Sequence, residues 1–171
     1  DDGTMGDLHH HARASEVRDD FPPIQFVLCK TRGPAAARNA GLKAARGEII
    51  VTIDSDCVAP DGWLEKLIAP FDDPKVKIVG GRILAKRLDV GPAFFAETAR
   101  VLNQREFFEG KRDQMPFVAT ANAAFRREAI EEVGGFDETL WAGEDADLCW
   151  RVLNGGGTLV YVPEAVIRHA H

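Results

Sequence analysis

The stretch Ile49-Ile50-Val51-Thr52-Ile53-Asp54-Ser55-Asp56 decides how this chain is read. A short run of branched apolar residues reads as a strand buried in a mixed or parallel sheet, and ligands in α/β folds collect at the carboxyl edge of such strands. The acids follow the run directly, at the place where a site belongs. In extended backbone, side chains two apart share a face, so Asp54 and Asp56 can turn toward one point and hold a divalent cation between them. Taken alone, the triplet is equally an ordinary acidic turn, and the remaining sequence must decide.

Working outward, period and punctuation give an alternation of helices and strands. A polar helix is expected over 4–18, closed by Pro22-Pro23, then a strand over 24–29. Gly33-Pro34 opens an alanine-rich helix that Gly47 closes, with the proline suited to the first helical turn. After the Asp54 strand come a short helix over 62–69, carrying Trp63, Leu64, Leu67 and Ile68 at helical spacing, and a strand over 75–84. A longer helix is expected over 92–108 and an extended segment over 116–125. Short helices over 127–133 and from Glu144 to the glycine run at 155–157 lead into closing strands over 158–162 and 165–169. No repeat, low-complexity tract or linker interrupts the chain, so residues 1–171 read as one domain.

Composition bounds what that domain does. At 171 residues and 45% hydrophobic, it is large enough for a packed core without disulfide staples. Cys29, Cys57 and Cys149 are far apart and lack CxxC spacing, which fits a reducing, cytoplasmic compartment and neither a disulfide framework nor a zinc site. A net charge of -6 with no basic run argues against nucleic acid as a partner. Apolar stretches are of strand length, so no membrane span is expected. His9-His10-His11 reads as a solvated helix face.

The helix opening at Glu144 carries its own signal. Asp145, Leu148, Cys149 and Val152 are spaced i, i+3, i+4 and i+7, so a carboxylate heads the inward apolar stripe. Asp147 and Arg151, at i and i+4, are expected to pair on another face. Trp141 offers an aromatic face beside the acid and is equally suited to core packing; Arg126 and Arg127 suit either a phosphate or the start of a helix.

Five segments recur in one order: Asp1-Asp2-Gly3-Thr4, Ala37-Arg38-Asn39-Ala40-Gly41, Asp54-Ser55-Asp56, Gly134-Gly135-Phe136-Asp137-Glu138 and Gly143-Glu144-Asp145-Ala146-Asp147-Leu148. Together they closely resemble the GT-A glycosyltransferases called family 2, over nearly the whole chain. The resemblance implies an α/β GT-A fold, with a mixed central sheet, helices on both faces and the first strand missing. It implies a metal-dependent inverting transfer of sugar from a nucleoside diphosphate sugar, a UDP-sugar first, to a hydroxyl of a sugar or lipid-linked acceptor in polysaccharide or glycoconjugate synthesis. Asp1 or Asp2 would contact the base or ribose, and Arg38 would stand beside the nucleotide. Asp54 and Asp56 would hold Mn²⁺ or Mg²⁺, joined by His169, with His171 on the same strand face; Asp145 would be the general base. Glu144 would orient the acceptor or the loop, and Trp141 would touch the acceptor. Asn39 and Gly41 would serve helix packing.

Two further functions compete. A sugar nucleotidyltransferase shares the architecture, but no Gly-rich triphosphate loop with its Arg and Lys is present in the sequence given. A non-catalytic sugar- or nucleotide-binding domain would have lost the metal acids or the base, and this chain keeps both. No Gln-x-x-Arg-Trp run follows the base, which favours single transfers. Both termini look cut, leaving membrane association, at the inner face of the membrane, to flanking segments.

Overall fold

The computed structural model describes residues 24–85 and 116–169. The helices expected over 4–18 and 92–108, the aspartates Asp1 and Asp2, and His171 lie outside the described residues. Helix α1 spans Pro34–Ala44, α2 Trp63–Ile68, α3 Arg127–Glu132 and α4 Glu144–Asn154. The strands are β1 Ile49–Ile53, β2 Cys57–Val58, β3 Val76–Ala85, β4 Asn122–Arg126 and β5 Thr158–His169. They form one sheet in the order β1-β4-β3-β5-β2. Parallel pairing joins β3 to β5, and antiparallel pairing joins the rest, so the sheet is mixed.

Helices cover both faces. On one, Ala35 of α1, Ala129 and Ile130 of α3, and Leu148, Cys149 and Val152 of α4 close over Ile78, Ala123, Phe125 and Leu159. Opposite them, Leu67 of α2 and Phe71 pack on Val76, Val79, Ala124 and Ala165. Alternation along the strands divides these cores: Ile78 faces α4 while Val79 faces α2, as the period of two requires. The inward stripe of α4 is as its spacing indicates, and Asp147 accepts a hydrogen bond from Arg151 Nε at 2.9 Å.

Two expectations need correction. Residues 24–29 form no strand, and Leu28 is 71% exposed. β1 is only half-buried, lying at the end of the described sheet with Ile53 42% exposed. Its apolar residues serve both faces, Ile50 against the α1 side and Ile49 and Val51 against the α2 side. An apolar run therefore reported two packed faces correctly but said nothing of whether strands flank both edges.

The centre of the sheet is held by a residue with no motif. Gly81 pairs with Val162 and Arg82 with Val166, so Pro163, Glu164 and Ala165 of β5 have no counterpart on β3. The irregularity leaves carbonyls without ladder partners, and a proline cannot donate to the ladder. Asn122 repairs this: its fully buried amide donates to Arg82 O and Ala165 O, both at 2.9 Å, and accepts from Trp63 Nε1 at 2.9 Å. A Cβ at Gly81 would collide with the Ala165 carbonyl and the Asn122 amide. Among the described residues no helix is long and apolar enough to cross a membrane.

Removing Asn122 strands the buried Ala165 carbonyl and the part-buried Arg82 carbonyl and Trp63 indole N–H, and a buried group left unsatisfied costs about 1–3 kcal/mol. Asn122→Ala should lower unfolding free energy by about 3 kcal/mol in denaturant titration. Gly81→Ala should cost a comparable amount by steric collision alone. Wild-type midpoints in both variants would show that the bulge is not held this way.

Candidate active site

The acid triplet is a tight turn, not extended backbone. The Asp54 carbonyl accepts the Cys57 N–H at 3.1 Å, closing a turn between β1 and β2. The same-face argument for Asp54 and Asp56 thus fails in its geometry, yet the turn still brings both acids to one side chain. His169 Nε2 lies 3.6 Å from Asp54 Oδ2, and its Nδ1 lies 3.4 Å from Asp56 Oδ2. The partner strand sets this up, because β5 ends with His169 directly opposite Cys57 of β2. Opposed residues of an antiparallel pair share a face.

This donor set fits a divalent cation. Neighbouring ligands about 2.2 Å from an ion lie about 3 Å apart, close to the separation of His169 Nδ1 from Asp56. Carboxylate oxygens with one imidazole nitrogen suit Mn²⁺ or Mg²⁺ with open positions left for phosphate oxygens. The most compact ligand group includes a thiol: donor atoms of Asp56, Cys57 and His169 all lie within 4.8 Å of one another. Burial, followed by the nearby Asp56 and Asp54 carboxylates, pushes the Cys57 thiol up to about 11.

Arg38 links the acid turn, at Asp54, to α4. On α1 it lies 3.9 Å from Asp54 Oδ1 and forms a close ion pair with Glu144, its guanidinium 5.8 Å from the Phe136 ring centroid. Glu144 is only 6% exposed, so this pairing supports an otherwise costly buried charge. The structure places Glu144 as an anchor for Arg38 and not as a carboxylate open to solvent. Arg38 and Asp54 also line the open cleft between α1 and β1, together with Pro34, Leu42, Ile53 and Thr120.

Asp145, one residue further along α4, is half-buried, with its Oδ1 accepting the Ala146 N–H at 2.9 Å. Burial raises its pKa above the ordinary aspartate range; the Ala146 N–H opposes that shift, Glu144 adds to it, and Arg38 and the Thr120 N–H oppose it. A carboxylate so placed holds a proton more tightly than a solvated one, which is what a general base requires. Trp141 is 78% exposed, excluding core packing and leaving its indole as a surface beside α4.

The glycine-rich loop before α4 is fixed from α1. The buried Asn39 side chain donates to Phe136 O and accepts the Phe136 N–H, both at 2.9 Å, and donates to Glu138 at 2.9 Å. Gly135 has φ 83°, and a Cβ there would sit 2.8 Å from Asn39 Oδ1. Arg126 and Arg127 are structural: Arg126 Nε donates to Val76 O and Arg127 Nε to Gly47 O, at 2.9 and 2.8 Å.

Residues 1–134 match the model of the glycosyl transferase family 2. The chain belongs to this family. A pre-mycofactocin glycosyltransferase of Mycobacterium tuberculosis is 40% identical over 144 residues, covering 82% of this chain and 31% of that protein. A glucosyl-dolichyl phosphate glucuronosyltransferase of Haloferax volcanii is 27% identical over 169 residues, covering 90% and 54%. Among solved structures, the mannosyltransferase PcManGT of Pyrobaculum calidifontis, in complex with GDP-Man and Mn²⁺, superposes with a TM-score of 0.69 at 26% identity. That superposition covers 99% of this chain and 45% of the mannosyltransferase. The family 2 chain thus has the GT-A fold and spans about a third to a half of the length of these relatives.

The burial of Asp145 has a measurable sign. Below the ordinary carboxylate range, about pH 3.9, it is protonated both folded and unfolded. As pH rises through its raised folded value, the native state must ionise a buried acid and stability is lost. Asp145→Asn should therefore melt higher than the parent at pH 7, with the difference closing near pH 3. A lower melting temperature for the variant at pH 7 would overturn this assignment.

Proposed function

We propose that the protein is a metal-dependent inverting glycosyltransferase that moves a sugar from a nucleoside diphosphate sugar to a hydroxyl acceptor, in polysaccharide or glycoconjugate synthesis. The observation that carries this reading is that Asp54 and Asp56 both face the His169 ring, one at each nitrogen, with Asp54 joined through Arg38 and Glu144 to the helix that bears Asp145. The Pyrobaculum mannosyltransferase, solved with GDP-Man and Mn²⁺, supports a nucleotide-sugar donor and a divalent ion.

In this reading residues 1–171 belong to one catalytic domain. Asp54, Asp56 and His169 hold Mn²⁺ or Mg²⁺, and Asp1 or Asp2 contacts the base or ribose. Bound there, the ion supplies positive charge to the diphosphate. Arg38 adds a second cation on the cleft wall, where a phosphate oxygen can take the place now facing Asp54. Glu144 holds that guanidinium in place and fixes the first turn of α4. Asp145 then accepts the acceptor hydroxyl proton as its oxygen attacks the anomeric carbon on the face opposite the diphosphate. Inversion follows from that single displacement. Trp141 offers a flat apolar surface on which a sugar ring can stack.

Asp145→Asn keeps the shape of the side chain but removes proton acceptance. In the full-length protein it should retain nucleotide affinity and lose on the order of 10² to 10⁴ in transfer rate. Near-parental transfer would move the base elsewhere.

Asp56→Ala should instead weaken UDP or GDP binding in the presence of Mn²⁺ and leave binding after chelation unchanged. Titration of full-length parent and variant, with Mn²⁺ and with chelator, separates these outcomes. Equal affinities in all four conditions would remove the metal bridge.

A further inference from the structure

Cys57 stands next to the acid turn and has no role in the transfer chemistry. It begins β2, directly opposite His169, so thiol and imidazole leave the same face of the sheet. Its Sγ, an Asp56 oxygen and a His169 nitrogen fall within 4.8 Å of one another, a grouping that does not include Asp54. Asp54 faces the other imidazole nitrogen at 3.6 Å and Arg38 at 3.9 Å. An imidazole gives one ion only one of its nitrogens. The His169 ring therefore stands between two neighbouring ligand groupings, an oxygen-rich one toward Asp54 and a sulfur-bearing one toward Cys57. Behind Cys57, Ile83, Ala121 and Ile167 form an apolar backing that limits competition from water.

We propose that Cys57 gives this centre a second metal-binding mode, in which a thiophilic ion such as Zn²⁺ or Cd²⁺ is held by Asp56, Cys57 and His169. Binding breaks the Cys57 S–H bond: the electron pair forms the metal–sulfur bond and the proton leaves to solvent. Mn²⁺ and Mg²⁺ prefer oxygen and gain little from sulfur, whereas Zn²⁺ binds thiolate, imidazole and carboxylate together, with a fourth position open to water or a phosphate oxygen. The two modes share Asp56 and His169, so Zn²⁺ competes with Mn²⁺ and leaves Asp54 with Arg38. This second mode rests on the metal site of the proposed function, and its binding can be followed without donor, acceptor or turnover.

The test is metal titration of the full-length protein carrying Cys29→Ser, which removes the other half-exposed thiol. Cd²⁺ alone should raise the near-ultraviolet thiolate–metal absorbance with one-to-one stoichiometry. Adding Cys57→Ser should abolish that absorbance and weaken Zn²⁺ by about tenfold or more, while Mn²⁺ affinity changes by less than roughly threefold. His169→Ala, which keeps the thiol, should also weaken Zn²⁺. Melting curves and a parallel Cys57→Ala variant identify any loss of folding. Absorbance that survives Cys57→Ser, or equal weakening of Zn²⁺ and Mn²⁺ in folded Cys57 variants, overturns the proposal. Absence of Mn²⁺ binding with the Cd²⁺ signal intact would instead count against the Mn²⁺ reading of the proposed function.

Discussion

The Asn122 amide is the point on which the site depends. One buried side chain donates to carbonyls on two neighbouring strands, Arg82 of β3 and Ala165 of β5, at the irregularity where β5 carries unmatched residues. Beyond it, β5 resumes parallel register through Arg82 opposite Val166 and runs on to His169 opposite Ala85. A strand slipped by one residue would send every following side chain to the other face. His169 would then turn away from Asp56, and Arg168 would take its place. A hydrogen-bond clamp in the middle of the sheet thus selects which residue meets Asp54 and Asp56 at its edge. Trp63, donating to the same amide, ties α2 into this arrangement.

Electrostatics explain why the acids tolerate one another. Asp54, Glu144 and Asp145 surround Arg38, and Glu144 is almost wholly buried. One guanidinium cannot neutralise three carboxylates, and the residual imbalance acts on Asp145: burial raises its proton affinity, Glu144 adds to that, and Arg38 opposes it. Near the turn the imbalance is again negative, with Asp54 and Asp56 on either side of His169. A cation bound at either place relieves repulsion already present in the fold.

Much of this was legible in the sequence, for identifiable reasons. Periodicity located α4 and its inward stripe because Leu148, Cys149 and Val152 pack against a sheet face. Gly33-Pro34 fixed the start of α1, and the i, i+4 pair of Asp147 and Arg151 formed as spaced. The acids of the triplet do meet at one side chain, His169, though the turn closed by Cys57 N–H, and not strand alternation, brings them there. What escaped was non-local. Asn122 sits in a run of small residues with no motif, and its bonds reach residues 40 and 43 positions away. Glu144 was expected to orient the acceptor or the loop, and its buried pairing with Arg38 was not legible because Arg38 lies 106 residues earlier. Cys57 was weighed by spacing to other cysteines, whereas its relevant neighbours are an acid beside it and a histidine across the sheet.

Under the proposed function, the arrangement also constrains how the two halves of the transfer are joined. Arg38 belongs to α1, Asp54 to the turn after β1, and Glu144 to the first turn of α4, so one guanidinium spans the cleft wall between the acid turn and α4. Its separation from Asp54, 3.9 Å, is longer than a direct hydrogen bond, while its pair with Glu144 is close. The looser contact is the one a phosphate oxygen can replace without moving α4. Glu144 therefore keeps Arg38 aligned whether or not Asp54 is engaged elsewhere, and Asn39, bonded to the loop before α4, holds α1 and that loop together. Asn39 and Arg38 thereby tie α1 to the loop before α4 and to the first turn of α4, and the longest of these contacts is the one from Arg38 to Asp54.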